Sequence, residues 1–520
     1  MFNLTQGVHR SMRHNQRGLA TVCGSRRRTH AQFAGRVARV AGALQQLGMS
    51  TGDRVGILSL NSDRYLELYF AIWWGGGVVV PLNTRWSVGE IVHALDHCDT
   101  RLLAVDETFA PLVPDLSERS RSLRTVIYAG DGPTPSGMFD YEQLIDDNDP
   151  IVDSLRHDDD LAAVFYTGGT TGLAKGVMLS HANLYSGAMI GLIEGVAKEG
   201  DVGLHAAPMF HLADGSFSLM LTLRGCTHVM VAGFQPDKVL DAIQTEQISC
   251  VVLAPTMMQM LIEHPRIGAC NLDSLRTLFY GASPISEALL KRVVAHLPRA
   301  HFYQAYGQTE MSPIVSILRP EFHTPEGSRL GKLRSAGRAA VCVEVKIVDS
   351  VNCELPRGEV GEIAARGPGV MQGYWNDPEQ TSTVLRDGWV HTGDCAYMDE
   401  DGFIFVVDRV KDMIVSGGEN VYSAEVENAI ALHPAVAMCA VVGVPDKLWG
   451  EAVLAFVVCK ANAVAIDADA IKAHCHSLIA GYKCPRVVEF RESLPLTGTG
   501  KVLKHALREP YWADQPRRVG

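Results

Sequence analysis

With 520 residues, 47% of them hydrophobic, the chain is long enough for at least two domains and a large buried core. A net charge of −11 and the lack of any long basic run exclude nucleic acid as an expected partner. Twelve scattered cysteines without a CxxC pair, and no uninterrupted apolar stretch of membrane-spanning length, point to a reduced, cytoplasmic protein without a transmembrane segment.

The first 130 residues alternate two periodicities. Residues 31–47 read as a helix closed by Gly48, 54–60 as a strand, and Asn61-Ser62-Asp63 as the opening of the next helix. A short buried strand over 78–80, an amphipathic helix over 88–98 and a strand over 102–105 follow. Such βαβ grammar predicts a parallel sheet covered by helices on both faces. Residues 161–165 and 177–179 read as two strands, and Ser180 as a helix N-cap. Between them runs Tyr166-Thr167-Gly168-Gly169-Thr170-Thr171-Gly172-Leu173-Ala174-Lys175-Gly176. Glycines let backbone N–H groups approach anionic oxygens, hydroxyls add donors and the lysine adds charge, so the loop suits phosphate. It is not a GxxxxGK[ST] loop, because Lys175 is followed by Gly176 rather than by a helix start.

The alternation continues through 181–300. The stretch from His205 to His211 reads as following a helix, with His211 at a loop-to-helix junction. Leu278-Phe279-Tyr280-Gly281-Ala282-Ser283-Pro284 reads as a strand running into a tight turn, and 302–306 as a strand ending in Gly307-Gln308-Thr309-Glu310. Reactive groups at the carboxyl ends of parallel strands are what an open α/β sheet predicts. From about residue 338 the pattern turns β-rich, and Asp394 after His391-Thr392-Gly393 has the setting of an exposed turn aspartate. Beyond Asp408-Arg409 a compact α+β pattern of domain size begins. His474-Cys475-His476 has no partner cluster nearby and reads as part of a half-exposed helix.

The glycine- and threonine-rich loop, Tyr306-Gly307-Gln308-Thr309-Glu310, His391-Thr392-Gly393-Asp394, Asp408-Arg409-Val410-Lys411-Asp412 and Pro495-Leu496-Thr497-Gly498-Thr499-Gly500-Lys501 stand in one order along nearly the whole chain. Together they resemble the adenylate-forming superfamily of acyl-CoA synthetases, luciferases and peptide-synthetase adenylation domains, nearest to the fatty acyl-CoA synthetases. The resemblance implies an α/β fold. A large domain (1–409) holds helix-covered sheets and a β-rich subdomain, and a small mobile α+β domain (410–520) carries a catalytic lysine. It implies that ATP, magnesium and coenzyme A are used to activate a carboxylic acid as acyl-AMP and pass it to a thiol. Thr167, Gly168, Gly169, Thr170, Thr171 and Lys175 would hold phosphates. Gly281, Ala282, Ser283, Tyr306, Gly307 and Gln308 would border the adenine. Thr309 would meet the α-phosphate, and Glu310 with Thr167 the magnesium. Asp394 and Arg409 would grip the ribose, His211 would lie by the carboxylate pocket, and Lys501 would bridge carboxylate and α-phosphate. Lys411 would be the hinge, and Gly417 and Gly418 would line the pantetheine tunnel.

Gly307 stands where the resemblance places a tryptophan in acetate-using members, which implies an open acyl channel and a medium- or long-chain fatty acid, an aromatic acid being the alternative; equally, the glycine can be there only to allow a turn conformation. Only nineteen residues follow Lys501, so no fused carrier domain is expected, although a separate carrier protein could take the acyl group. A second copy of the chain is the expected protein partner. A non-catalytic nucleotide-binding scaffold is disfavoured, because Thr309, Glu310, Asp394, Arg409 and Lys501 are all present.

Overall fold

A computed structural model describes residues 1–167, 174–283, 285–409, 411–417, 419–460, 466–496 and 502–513. Two large sheets dominate. In the eight-stranded one the order is Gly373–Tyr374, Lys175–Ser180, Leu161–Thr167, Val78–Pro81, Arg54–Leu58, Leu102–Val105, Thr125–Tyr128 and Phe139–Asp140. Its centre is parallel, and Val78–Pro81 and Leu102–Val105 are buried on both faces, as parallel strands under helices must be. The nine-stranded sheet is likewise parallel from Leu19–Cys23 to His301–Gly307. Antiparallel strands edge it on either side, including Ile314–Leu318 beside His301–Gly307.

The helix starts read at Ser62 and Ser180 are present, and Ser87 caps a third helix. Ser62, Ser87 and Ser180 each accept a backbone N–H three residues on, at the starts of helices Asp63–Trp74, Val88–His97 and His181–Glu194. Helix Asp63–Trp74 is buried along its whole length and Leu212–Arg224 nearly so. Phe70, Trp73, Phe217 and Leu219 from these two helices share one core with residues of both large sheets, such as Val79 and Phe279.

A five-stranded subdomain sheet, with Trp389–Met398 between Gly361–Arg366 and Ile404–Arg409, packs against this body. After the strand ending at Arg409 a further sheet, centred on Val436–Asp446 and Gly450–Cys459, has its own apolar cores on its two faces.

Two readings change. The stretch from His205 to His211 follows a strand, Val202–His205, rather than a helix. Asp394 lies inside strand Trp389–Met398 and is only 6% exposed, not in an exposed turn. The arginine-rich start folds as helix Gln6–His14 and a hairpin, Leu19–Cys23 with Arg26–Thr29. Arg26 pairs with Asp63 and Asp131, and Arg28 and Arg36 both pair with the buried Glu67. His474 is in helix Ala468–His476 and bonds the Ala429 carbonyl. Among the described residues no group of three or more His, Cys, Asp or Glu is placed to hold a metal. No helix of the described residues is long and apolar enough to cross a membrane.

Candidate active site

The ends of three strands converge. Leu161–Thr167 and Lys175–Ser180 run antiparallel with Thr167 opposite Lys175, so the two residues close the neck of the loop between them. Gly168, Gly169, Thr170 and Thr171 lie outside the described residues. The Lys175 ammonium donates to Gln380 Oε1 at 2.6 Å and sits 5.3 Å from the centre of the Tyr374 ring. Among the described residues no carboxylate pairs with it, so its charge is held by neutral partners and remains available to an anion.

Strand His301–Gly307 supplies the second group. The Tyr306 hydroxyl donates to Asp394 Oδ2 at 2.7 Å, and the Arg409 guanidinium forms an ion pair with Asp394, Nε to Oδ1 at 2.7 Å. Asp394 and Arg409 are direct partners across the subdomain sheet, which is why a buried carboxylate is tolerated there. Burial and the Asp394 carboxylate push the Tyr306 phenol well up, and Asp394 chiefly raises Arg409. Each Asp394 oxygen keeps a further lone pair, so the carboxylate can still accept two hydroxyls.

Immediately after this strand, Thr309 and Glu310 form the short turn Thr309–Met311. Glu310 is 8% exposed, and its Oε1 accepts the Tyr374 hydroxyl at 2.8 Å. Its second oxygen and the Thr167 hydroxyl are donors of the type a hard divalent cation takes when substrate phosphates complete the shell. Gln308 leaves a buried Nε2 without a hydrogen-bond partner at the same strand end.

On the neighbouring strand, a Cβ on Gly281 would stand 2.3 Å from the Ala305 carbonyl oxygen. Ala282 adopts a left-handed φ of 65°, and the half-buried Ser283 follows it. Gly307 has the backbone reason that was one of the two expected: its Cβ would lie 1.8 Å from the Pro313 carbonyl oxygen, so a close backbone crossing demands glycine here.

His211 is the N-cap of helix Leu212–Arg224 and accepts the Ala213 N–H on Nδ1 at 3.2 Å, which leaves the proton of the neutral ring on Nε2. Lys411 follows the subdomain sheet. Burial, then the neighbouring Arg409, lowers its pKa to about 8. Gly417 has φ 64°, and a Cβ there would meet the Trp449 ring at 2.5 Å. Gly418 and Lys501 lie outside the described residues. Helix Lys504–Trp512, just beyond Lys501, is pinned by Lys504 to Glu427 at 2.8 Å and to the Ser423 hydroxyl.

The structure thus brings Thr167, Lys175, Tyr306, Glu310, Asp394 and Arg409 to one end of the sheets. It also adds residues that sequence reading missed. Tyr374 and Gln380 are two. Gln304 is a third, two positions before Tyr306 on the same strand face. His323 Nδ1 faces the Arg319 carbonyl at 3.0 Å, so it carries the proton, and Nε2 accepts the Tyr280 hydroxyl at 2.8 Å. The Tyr280 hydroxyl also lies 3.3 Å from Gln304 Oε1. None of these residues has a local sequence signal, because each acts through a partner distant in the chain.

Comparison with known proteins agrees with this geometry. The AMP-binding enzyme family matches residues 8–375, and its C-terminal domain family matches 425–501. The chain is 41% identical to a feruloyl-CoA synthase from an Amycolatopsis species over 93% of its own length and 94% of the relative's. It is 35% identical to the medium/long-chain-fatty-acid–CoA ligase FadD8 of Mycobacterium tuberculosis, over 98% and 90%. Among solved structures, the amide bond synthetase McbA of Marinactinospora thermotolerans superposes with a TM-score of 0.87 at 32% identity, covering 98% of this chain and 100% of that one. The five motifs, the strand-end site and both family matches identify the chain as a member of the AMP-binding, adenylate-forming enzyme family.

Proposed function

We propose that the protein is an AMP-forming acid–CoA ligase whose acid is aromatic, of the hydroxycinnamate kind. The observation that carries the acid class is the 41% identity, over nearly the full length of both chains, to a feruloyl-CoA synthase. The division of labour at the strand ends supports the adenylation half.

In the first step the acid's carboxylate oxygen attacks the α-phosphorus of ATP. A new P–O bond forms, the bond to the β-phosphate oxygen breaks, and pyrophosphate leaves. Two anions must approach, so neutralising the phosphoryl oxygens is the main requirement. Lys175, Thr167 and the loop residues Gly168, Gly169, Thr170 and Thr171 serve the phosphates, and Thr309 the α-phosphate. Magnesium held by Glu310 and Thr167 would supply further charge neutralisation. Asp394 and Arg409 hold the ribose, while Gly281, Ala282, Ser283, Tyr306 and Gln308 border the base. His211 lies on the acid side, and Lys501 joins carboxylate and α-phosphate. In the second step the thiol of coenzyme A attacks the acyl carbon and AMP leaves. Lys411 is the hinge between 1–409 and 410–520, and Gly417 and Gly418 admit the pantetheine arm.

A medium- or long-chain fatty acid is the second reading, favoured by the 35% identity to FadD8. The test is kcat/KM for thioester formation over ferulate, 4-coumarate, benzoate, octanoate and palmitate, with an amine replacing coenzyme A in a parallel arm. An optimum on the hydroxycinnamates supports the proposal. A steady rise with alkyl length moves the assignment to fatty acids, and product only with the amine refutes the CoA ligase reading.

A further inference from the structure

The segment from Met371 to Trp375 is stitched to both charged partners of the phosphate site. The Met371 N–H donates to the Glu310 carbonyl at 2.9 Å. The Gln372 N–H donates to the Met178 carbonyl at 3.0 Å and that of Trp375 to the Gly176 carbonyl at 2.7 Å, making Gly373–Tyr374 an added edge strand beside Lys175–Ser180. The Tyr374 N–H is taken by the Thr381 hydroxyl at 2.9 Å, so its backbone is committed on the other side as well.

From this clamped backbone the Tyr374 side chain, 6% exposed as a residue, does two things at once. Its hydroxyl donates to Glu310 Oε1 at 2.8 Å. Its ring lies under the Lys175 ammonium at 5.3 Å. Gln380, in the first turn of helix Pro378–Val384, adds the acceptor for Lys175 at 2.6 Å. One rigid aromatic ring therefore separates and orients an ammonium on a strand of one large sheet and a carboxylate in the turn that follows a strand of the other. Neither contact neutralises either charge. A phenol donor occupies one Glu310 oxygen, fixing the rotation of the carboxylate and leaving the other oxygen directed elsewhere.

We infer that Tyr374 is a positioning residue that sets Glu310 and Lys175 in one register for a metal–triphosphate, with Gln380 as its auxiliary on the lysine side. The inference rests on the proposed role of Glu310 as metal ligand, and it predicts that the two functions of the ring separate. Tyr374→Phe keeps the aromatic face and removes the donor. Tyr374→Leu removes both. Gln380→Leu removes only the second lysine contact.

The experiment titrates Mn²⁺ into the full-length enzyme with the non-hydrolysable analogue α,β-methylene-ATP, reading bound Mn²⁺ by electron paramagnetic resonance. The KM for ATP at saturating Mg²⁺ is measured alongside. Tyr374→Phe is expected to weaken Mn²⁺ binding by roughly ten- to a hundredfold, the usual cost of losing a partner that orients a ligand, with the KM for ATP within about twofold of wild type. Gln380→Leu should raise the KM for ATP and leave Mn²⁺ binding unchanged, and Tyr374→Leu should do both. Thermal melting of each variant without ligand identifies loss of fold, and the Phe variant, isosteric apart from one oxygen, carries the decision. If Glu310→Gln weakens Mn²⁺ binding and Tyr374→Phe does not, the positioning role is wrong while the metal role stands. If Glu310→Gln leaves Mn²⁺ binding intact, the metal role fails and the inference falls with it.

Discussion

Asp394→Asn is the sharpest test of the nucleotide end of the site. The carboxylate accepts the Tyr306 hydroxyl and is ion-paired with the Arg409 guanidinium, each at 2.7 Å, and it is buried. In the proposed role each oxygen also accepts one ribose hydroxyl. Asparagine keeps one acceptor oxygen and turns an N–H₂ toward the other partner, so one of the two ribose bonds is lost. A hydrogen bond to a charged group is worth about 1.5–3 kcal/mol, which converts to roughly a ten- to 150-fold rise in the Kd for ATP. The assay is calorimetric binding of ATP and of 2′,3′-dideoxy-ATP to both proteins. Wild type should prefer ATP strongly, and the variant should lose most of that preference while binding the dideoxy nucleotide nearly as wild type does. Equal weakening toward both nucleotides would refute the ribose role and assign Asp394 to holding Arg409 and Tyr306 alone.

Gly307→Ala should destabilise the protein by about 1–3 kcal/mol or more, because its methyl meets the Pro313 carbonyl. Activity should fall on every acid alike; selective loss of bulky acids, at unchanged denaturation midpoint, would support the channel reading. Burial holds His181 and His323 at pKa values of about 4 against 6.5 for the free side chain. Between those values the unfolded chain binds protons the fold refuses, so stability is lost as pH falls from about 6.5 toward 4. Urea denaturation at pH 7.5, 6 and 5 should show this loss, with a shallower dependence in His323→Gln; parallel curves would contradict it. Lys501→Ala should abolish pyrophosphate release from acid and ATP yet largely spare thioester formation from supplied acyl-AMP, measured by mass spectrometry, whereas equal loss of both half-reactions would point to a damaged fold.

What the sequence made legible was local. Helix starts at Ser62 and Ser180 could be read because the cap and the N–H it accepts lie three residues apart. The two strands flanking the glycine- and threonine-rich loop could be read because they are contiguous with it. Contacts that close over long separations could not. Lys175 finds Gln380 across 205 residues, and Tyr374 finds Glu310 across 64. Asp394 was misread as an exposed turn residue because Tyr306, 88 positions away, is one of the two groups that make its burial tolerable. The arginines of the first hairpin are explained only by the acidic face of helix Asp63–Trp74, which the fold brings beside them. Gly307 could not be interpreted without the path of the Pro313 backbone.

The central claim is that this chain adenylates an aromatic acid before any thiol takes part. Exchange of labelled pyrophosphate into ATP, with acid present and coenzyme A absent, tests it most directly. With ferulate the account predicts rapid, acid-dependent exchange, and conversion to AMP and feruloyl-CoA in equal amounts once coenzyme A is added. ADP as the nucleotide product, or exchange with palmitate but none with any aromatic acid, would contradict it.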